Sequence, residues 1–158
     1  VINIFSFSKA FALAGFRVGY IAINAGAGEE AQDAYNQMLK VQDTIPICPA
    51  RPSQVAAMGA LSAGRDWVAQ QVVTLDEGRA AIMDAIQPLG TVMGGSGAMY
   101  VMAKLPKGMD DREVGEMLVE KHGIAIIPGS FCGFPGWIRV CYSNLDPERC
   151  KLAAERLS

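Results

Sequence analysis

The segment VINIFSFSKAFALAGFRVGYIAI, residues 1–23, contains two apolar runs separated by a short polar loop. The first run, VINIFSF, is nearly continuous, as is typical of a parallel strand covered on both faces. The second, VGYIAI at residues 18–23, predicts another strand. Small residues between the runs predict a loop or a short helical turn that carries Lys9. The segment therefore predicts an α/β protein with a lysine placed directly after a buried strand.

The residue types in this loop suggest a specific chemistry. Burial beside the strand would favour the neutral, nucleophilic form of the Lys9 amine, which attacks carbonyls. Ser6 and Ser8 supply hydroxyls, and Arg17 supplies a rigid fork of donors suited to a phosphate. Two glycines allow close backbone approach: Gly15 and Gly19. A lysine that forms a Schiff base beside a phosphate clamp is what pyridoxal phosphate requires. A lone loop lysine is usually solvated, so without further support Lys9 is interpreted as a solvated loop lysine and Arg17 as a surface partner of a carboxylate.

The spacing SxSKxxxxxGxRxGY, residues 6–20, resembles the cofactor-lysine signature of the fold-type-I, class I/II aminotransferases, which use pyridoxal 5'-phosphate. The resemblance implies that Lys9 holds the cofactor as a Schiff base and is the catalytic residue. It implies that Ser6 and Arg17 bind the cofactor phosphate. Ser8 is either a further cofactor ligand or a residue that holds the loop by bonding its backbone.

A second motif, IIPGSFCGFPGWIRVCYS at residues 126–143, predicts a strand, a glycine-rich loop and a strand that carries Arg139. Ile138 and Val140 flank Arg139, so its side chain is predicted to point to the opposite face of the sheet. A buried arginine requires an anion, and an internal salt bridge to Asp or Glu is one solution. The family has an arginine in this setting that grips the substrate α-carboxylate, which implies the same role for Arg139.

The rest of the chain is predicted to complete two domains. Residues 1–62 form the end of a large, mostly parallel α/β/α cofactor-binding domain, residues 63–90 a long inter-domain helix, and residues 91–158 a small α+β domain, truncated at its end. A single helix is predicted over 65–88 from its apolar stripe. Three aromatic residues are interpreted as packing residues, and one histidine as a surface residue: Tyr100, Trp67, Trp137 and His122.

Composition excludes several other classes of function. The formal net charge is −2 and no apolar run approaches a bilayer-spanning length, so we expect neither a nucleic-acid nor a membrane partner. Four cysteines lack paired spacing and the chain has one histidine, which argues against a zinc or other metal site. We expect free, mostly buried thiols in a reducing, cytoplasmic setting.

The resemblance extends over essentially the whole chain and is strongest to plant-type aromatic/methionine aminotransferases, in the strings VINIFSFSK, GFRVGYIAI, KVQDTIPIC and WIRV. It implies transamination between an aromatic or methionine-like amino acid and a 2-oxo acid, in a homodimer. The family's ring-binding residues lie upstream of Val1, so we expect this fragment alone to be inactive. Three alternatives stay open: a lyase of the same fold, similar to aminocyclopropane-carboxylate synthase, a non-catalytic ligand-binding module, and a non-catalytic piece of a partial gene product.

Overall fold

A computed structural model describes residues 1–24, 26 and 28–157, which form six strands and five α-helices. The strands are β1 (Ile2–Ser6), β2 (Gly19–Ile23), β3 (Val92–Gly94), β4 (Tyr100–Lys104), β5 (Ile127–Pro128) and β6 (Trp137–Cys141). The helices are α1 (Glu29–Thr44), α2 (Arg51–Val73), α3 (Asp76–Ile86), α4 (Asp111–Met117) and α5 (Pro147–Leu157). The chain divides into two compact units, Val1–Gln70 and the part from Gln71 onward. The three-part division at residues 62 and 90 stays a prediction.

The first unit contains the hairpin of β1 and β2. The two strands pair antiparallel, with Ile2 opposite Ile23 and Ser6 opposite Gly19. The prediction of a parallel strand covered on both faces is therefore wrong for β1, whose five residues are all exposed in this chain. An apolar run predicts a buried strand, but it does not specify the direction of the neighbouring strand. Side chains alternate between the two faces in the same way in parallel and in antiparallel sheets.

The predicted helix over residues 65–88 is two helices in the structure. Helix α2 runs to Val73 with non-helical backbone at Gly64, and α3 starts at Asp76. At the break the N–H of Thr74 donates to the carbonyl of Gln71, as does its hydroxyl, at 3.1 and 2.6 Å. This tight turn ends the helix, while the apolar stripe continues through it. Periodicity alone therefore could not reveal the break.

The second unit is a four-stranded antiparallel sheet covered by helices on one face. The strand order is β3-β4-β6-β5. Alternate residues of the central strands turn inward and are almost completely buried, including Val101 and Ala103 on β4 and Ile138 and Val140 on β6. Helices α3, α4 and α5 and the residues that directly extend α4 supply much of the rest of this core: Ile82, Ile86, Val114, Leu118, Cys150 and Ala154. The other face of the sheet, which carries Arg139, is therefore free for a different role.

Capping residues mark the helix boundaries in the second unit. The Asp110 carboxylate accepts hydrogen bonds from the N–H groups of Arg112 and Glu113 at 2.8 and 3.1 Å, so Asp110 is the N-cap of α4. One turn of π-helix extends α4 to His122, and Gly123 ends it with φ 65°. The Asp146 carboxylate accepts from the N–H of Arg149 at 2.9 Å at the start of α5.

The expectation of mostly buried thiols is wrong. All four cysteines are free, but only Cys150 is buried, Cys132 and Cys141 are half-buried and Cys48 is exposed. Cysteine is often buried in proteins in general, but the burial of each thiol depends on where its helix, strand or loop lies in the fold. Across the described residues, none of the helices has both the length and the apolar character of a membrane span.

Candidate active site

The loop between β1 and β2 carries Lys9 in a turn. The N–H of Ala12 donates to the Lys9 carbonyl at 3.0 Å, and the N–H of Leu13 donates to the Phe7 carbonyl at 3.1 Å. Ala12 has φ 54°, in the left-handed region, which lets the chain reverse. The Lys9 side chain is exposed, and among the described residues its amine has no hydrogen-bonding or ion-pair partner. The backbone of the loop is therefore fixed while the amine is free.

The predicted burial of Lys9 is not found in this chain. The expectation assumed that the preceding apolar strand lies among buried atoms. Every residue of β1 is exposed, and Lys9, three residues after the end of this strand, is exposed as well. The Lys9 amine is thus presented on a surface of the described residues.

Apolar side chains anchor both ends of the loop. Phe7 and Val18 are 3% and 9% exposed, and the Phe7 N–H donates to the Val18 carbonyl at 3.3 Å. Both pack with Ala57 of α2. The Phe11 ring stacks on Trp67, with centroids 6.3 Å apart and an interplanar angle of 9°, so Trp67 is a packing residue, as predicted. This small apolar cluster holds the Lys9 loop against α2.

Gly19 allows a close backbone contact beside the loop. A Cβ at this position would lie 2.4 Å from the carbonyl oxygen of Phe5 and 3.5 Å from the Cα of Ser6. Only glycine fits between the paired strands here without a shift of the backbone. Gly15 was predicted to serve the same purpose, but no atom lies within 4 Å of the position that a Cβ would take there. The close approach therefore occurs at Gly19.

Ser6, Ser8 and Arg17 lie at the two ends of this loop. The Ser6 hydroxyl accepts a hydrogen bond from the Ser8 N–H at 3.1 Å, so the bond that holds the loop uses the hydroxyl of Ser6 and the backbone of Ser8. Arg17 has φ 50° and donates one bond, from Nη1 to the Ala14 carbonyl at 2.8 Å. Its other side-chain donors have no partner among the described residues. A hydroxyl, a guanidinium fork and an amine thus occur within one hairpin, a donor set that suits a phosphorylated aldehyde.

Arg139 lies in the second unit, on the face of the sheet opposite the core. Ile138 and Val140 are 2% and 4% exposed, which confirms the predicted alternation. The Arg139 guanidinium carbon lies 4.5 Å from the centroid of the Tyr100 ring. Its Nε is buried with no hydrogen-bonding partner, and no salt bridge within the described part of the chain includes Arg139. The internal salt bridge that sequence reasoning left open is therefore not formed by these residues.

Sequence reasoning missed the role of Asp111. This residue is 3% exposed, and its carboxylate accepts from the N–H groups of Ser130 and Gly136 at 2.7 and 3.1 Å. These two bonds, the Ser130 bond first, lower the pKa of Asp111 from 3.8 to about 2, against the opposing effect of burial. Asp111 thereby closes the loop 129–136, which leads into the strand of Arg139. The only local signal was the pair of adjacent aspartates at the start of α4, which fits a helix N-cap equally well and does not indicate these partners.

The loop closed by Asp111 is tightly wound. A Cβ at Gly129 would lie 2.3 Å from the Phe134 carbonyl oxygen and 2.6 Å from that of Trp137. Gly129 is therefore required by packing of the backbone against itself. The predicted site residues consequently fall into two groups: four in the β1–β2 hairpin of the first unit, and Arg139 in the second. Their individual roles stay predictions.

The sequence model of the family "Aminotransferase class I and II" matches residues 1–157. Among curated proteins, the chain is 41% identical over 160 residues to the aromatic aminotransferase ISS1 of Arabidopsis thaliana, covering 99% of this chain and 40% of that protein. It is 31% identical over 159 residues to the L-glutamine--4-(methylsulfanyl)-2-oxobutanoate aminotransferase of Bacillus subtilis, covering 99% of this chain and 38% of that protein. The chain thus spans about two fifths of the length of these relatives.

The fold is also similar to solved structures. The aromatic aminotransferase of Pyrococcus horikoshii superposes with a TM-score of 0.83 at 26% identity, over 99% of this chain and 41% of that one. The aspartate aminotransferase of Thermotoga maritima superposes with a TM-score of 0.81 at 27% identity, over 99% of this chain and 38% of that one. The predicted fold, the C-terminal part of a pyridoxal-phosphate-dependent transferase, is confirmed. The chain belongs to the class I and II aminotransferase family.

Proposed function

We propose that this chain supplies the cofactor lysine and the carboxylate-binding arginine of an enzyme that transfers an amino group from an amino acid to a 2-oxo acid. The observation that carries the proposal is the β1–β2 hairpin, in which Lys9 lies in sequence between Ser6 and Arg17. The Lys9 amine has no partner among the described residues. The membership of the family supports it, because the family model covers this hairpin and the rest of the chain.

The residues present fit pyridoxal 5'-phosphate by their chemistry. Lys9 offers the amine that binds an aldehyde, and Arg17 retains guanidinium donors for a phosphate. Ser6 offers a hydroxyl whose oxygen already accepts from the Ser8 N–H, which leaves its proton free for donation to a phosphate oxygen. When bound, the cofactor supplies an electron-withdrawing ring that acidifies the α C–H bond of an attached amino acid. Ser8 contributes by its backbone and is the weakest member of the set.

Each residue then has a separate task. With the cofactor bound, the Lys9 amine would take the proton from the substrate α-carbon as a general base and would deliver it, as a general acid, to the cofactor carbon that carried the aldehyde. Ser6 and Arg17 keep the cofactor in place between the two halves of the reaction. Arg139 binds the α-carboxylate with two parallel hydrogen bonds and so fixes the orientation of the α C–H bond.

We propose an aromatic or methionine-like amino acid as the substrate. The relative in Arabidopsis thaliana is named as an aromatic aminotransferase, and the relative in Bacillus subtilis is named for a methylsulfanyl 2-oxo acid. Both names describe large, apolar side chains on one of the substrates. We also propose that the complete enzyme is a homodimer and that these 158 residues alone are inactive, since the chain spans about two fifths of its relatives and leaves Lys9 exposed.

The test is an absorbance spectrum of the full-length protein that contains this chain, with pyridoxal phosphate, for wild type, Lys9→Ala and Lys40→Ala. Lys40 is a matched control because it is also an exposed lysine, on α1, whose amine bonds to Gln37. We expect a visible band in wild type and in Lys40→Ala that is absent in Lys9→Ala. Addition of an aromatic amino acid should convert the band and release the corresponding 2-oxo acid.

Two other outcomes would contradict the proposal. A band that survives in Lys9→Ala would remove Lys9 from the cofactor site. A lysine-dependent band together with elimination or cyclisation of the amino acid, without 2-oxo acid, would replace transamination by a lyase reaction.

A further inference from the structure

The surroundings of Arg139 indicate a further residue of the site. On β6, Arg139 is paired with Met102 of β4 and with Ile127 of β5, so it lies in the interior of the sheet. Tyr100 lies two residues before Met102 on β4 and therefore on the same face, diagonal to Arg139. Its ring covers one side of the guanidinium at 4.5 Å.

The charge of Arg139 is incompletely satisfied by this environment. Its Nε is buried without a hydrogen-bonding partner, and within the described residues no carboxylate pairs with it. The face of an aromatic ring attracts a guanidinium, but it does not replace the strong hydrogen bonds that an anion would accept from the guanidinium N–H groups. The ring contact therefore restrains the position of the guanidinium, and no carboxylate among the described residues pairs with its N–H groups, which stay available to an anion.

Tyr100 is itself held in position by the start of β4. The hydroxyl of buried Tyr142 donates to the Ala98 carbonyl at 2.8 Å, and the Tyr142 N–H donates to the Met99 carbonyl at 3.2 Å. Ala98 has φ 61°, so the turn before Tyr100 is a defined left-handed conformation. These bonds fix the backbone from which the Tyr100 ring projects.

We propose that Tyr100 is a positioning residue for the substrate carboxylate: its ring orients the Arg139 guanidinium so that both of its outer N–H groups face the carboxylate. This inference rests on the proposed function, in which Arg139 binds that carboxylate. It differs from the sequence interpretation of Tyr100 as a packing residue, because the half-buried ring contacts the charged group and points away from the core side chains Val101 and Ala103.

The proposal predicts how substitutions divide between binding and turnover. In the full-length protein, Tyr100→Leu removes the ring but keeps an apolar side chain, and Tyr100→Phe keeps the ring. We expect Tyr100→Leu to raise KM for the amino acid by about three- to thirtyfold, the range of a lost cation–π contact, with a smaller fall in kcat because Arg139 also orients the α C–H bond. Tyr100→Phe should restore KM to within about twofold of wild type. The corresponding amine, which lacks the carboxylate, should bind wild type and Tyr100→Leu equally.

A measurement without substrate tests the contact between the Tyr100 ring and the Arg139 guanidinium itself. In wild-type protein labelled at arginine, the side-chain protons of Arg139 should be shifted upfield by the Tyr100 ring, and the shift should vanish in Tyr100→Leu. A normal chemical shift in wild type overturns the proposal, even if the leucine variant fails to fold. Unchanged KM in a folded Tyr100→Leu, or an equal loss for the amino acid and the amine, overturns it as well.

The variant Arg139→Ala separates this inference from the proposed function. If Arg139→Ala leaves KM for the amino acid unchanged, the carboxylate role of Arg139 fails, and the positioning role of Tyr100 fails with it. If Arg139→Ala raises KM while Tyr100→Leu does not, the proposed function stands and the inference about Tyr100 alone is wrong.

Discussion

Gly19 is the position at which a single methyl group should damage the hairpin of Lys9. In Gly19→Ala the new Cβ would lie 2.4 Å from the carbonyl oxygen of Phe5, an atom of the paired strand's backbone. A backbone oxygen cannot rotate away as a side chain would. The strands must separate locally, and this moves Ser6, which pairs with Gly19 across the hairpin.

The size of the effect follows from two opposing contributions. Overpacking against a fixed group costs about 1–3 kcal/mol, and we take about 2–3 kcal/mol because the obstructing atom is backbone. Replacing glycine by alanine also restricts the unfolded chain, which stabilises the protein by about 0.4–1 kcal/mol. The net expectation for Gly19→Ala is a loss of roughly 1–2.5 kcal/mol. Gly15→Ala is the matched control, since nothing lies within 4 Å of its Cβ and it should gain about 0.4–1 kcal/mol.

Urea unfolding of the two variants in the full-length protein measures these free energies, and a titration with pyridoxal phosphate measures cofactor affinity. We expect Gly19→Ala to lower both stability and affinity, and Gly15→Ala to lower neither. Equal unfolding midpoints for the two variants would refute the reasoning, because they would show that the strands accommodate the methyl group. Reduced stability with unchanged affinity would show that the Lys9 loop does not depend on this strand contact.

Three further predictions concern the second unit and the cysteines. Because the folded pKa of Asp111 is about 2 against 3.8, its stabilising contribution is complete above about pH 4 and is lost as the pH falls toward 2. In urea series, Asp111→Asn should therefore be less stable than wild type near pH 6, with a difference that shrinks between about pH 4 and pH 2; a constant difference would contradict the assignment. Asp110→Ala should cost about 0.5–2 kcal/mol in urea unfolding, as expected for loss of an N-cap, and no change would mean that α4 does not require it. Exposed Cys48 should react with a thiol reagent at neutral pH well before Cys150, whose pKa is raised by burial; faster labelling of Cys150 would contradict its burial.

The order and type of most elements could be predicted from the sequence because their signals are local. The helix that starts at Glu29 follows from its apolar spacing, and α4 and α5 follow from capping aspartates and from Gly123. The alternation around Arg139 also follows from local pattern, since successive residues of a strand point to opposite faces. The family could be identified for the same reason, because the lysine motif is a contiguous string.

The errors occurred where the outcome depends on atoms distant in sequence or on bonds that periodicity does not report. The apolar stripe over residues 65–88 continues through a break made by the hydrogen bonds of Thr74. The role of Asp111 could not be predicted, because its partners Ser130 and Gly136 lie 19 and 25 residues away. The exposure of Lys9 was also not predicted. The apolar sequence of β1 indicates a strand that other atoms cover, but whether such atoms are present cannot be read from the strand itself.

The sequence by itself determined the residue types of the candidate site and their order: an amine, a hydroxyl and a guanidinium within residues 6–17, and a second arginine on a later strand. Only the tertiary structure decided which of the two glycines is required, what stacks on Arg139 and what holds the loop before it. The physical reason is that residue chemistry is a property of each side chain, whereas steric fit, stacking and hydrogen bonding depend on groups that the folded chain brings within a few ångströms of each other.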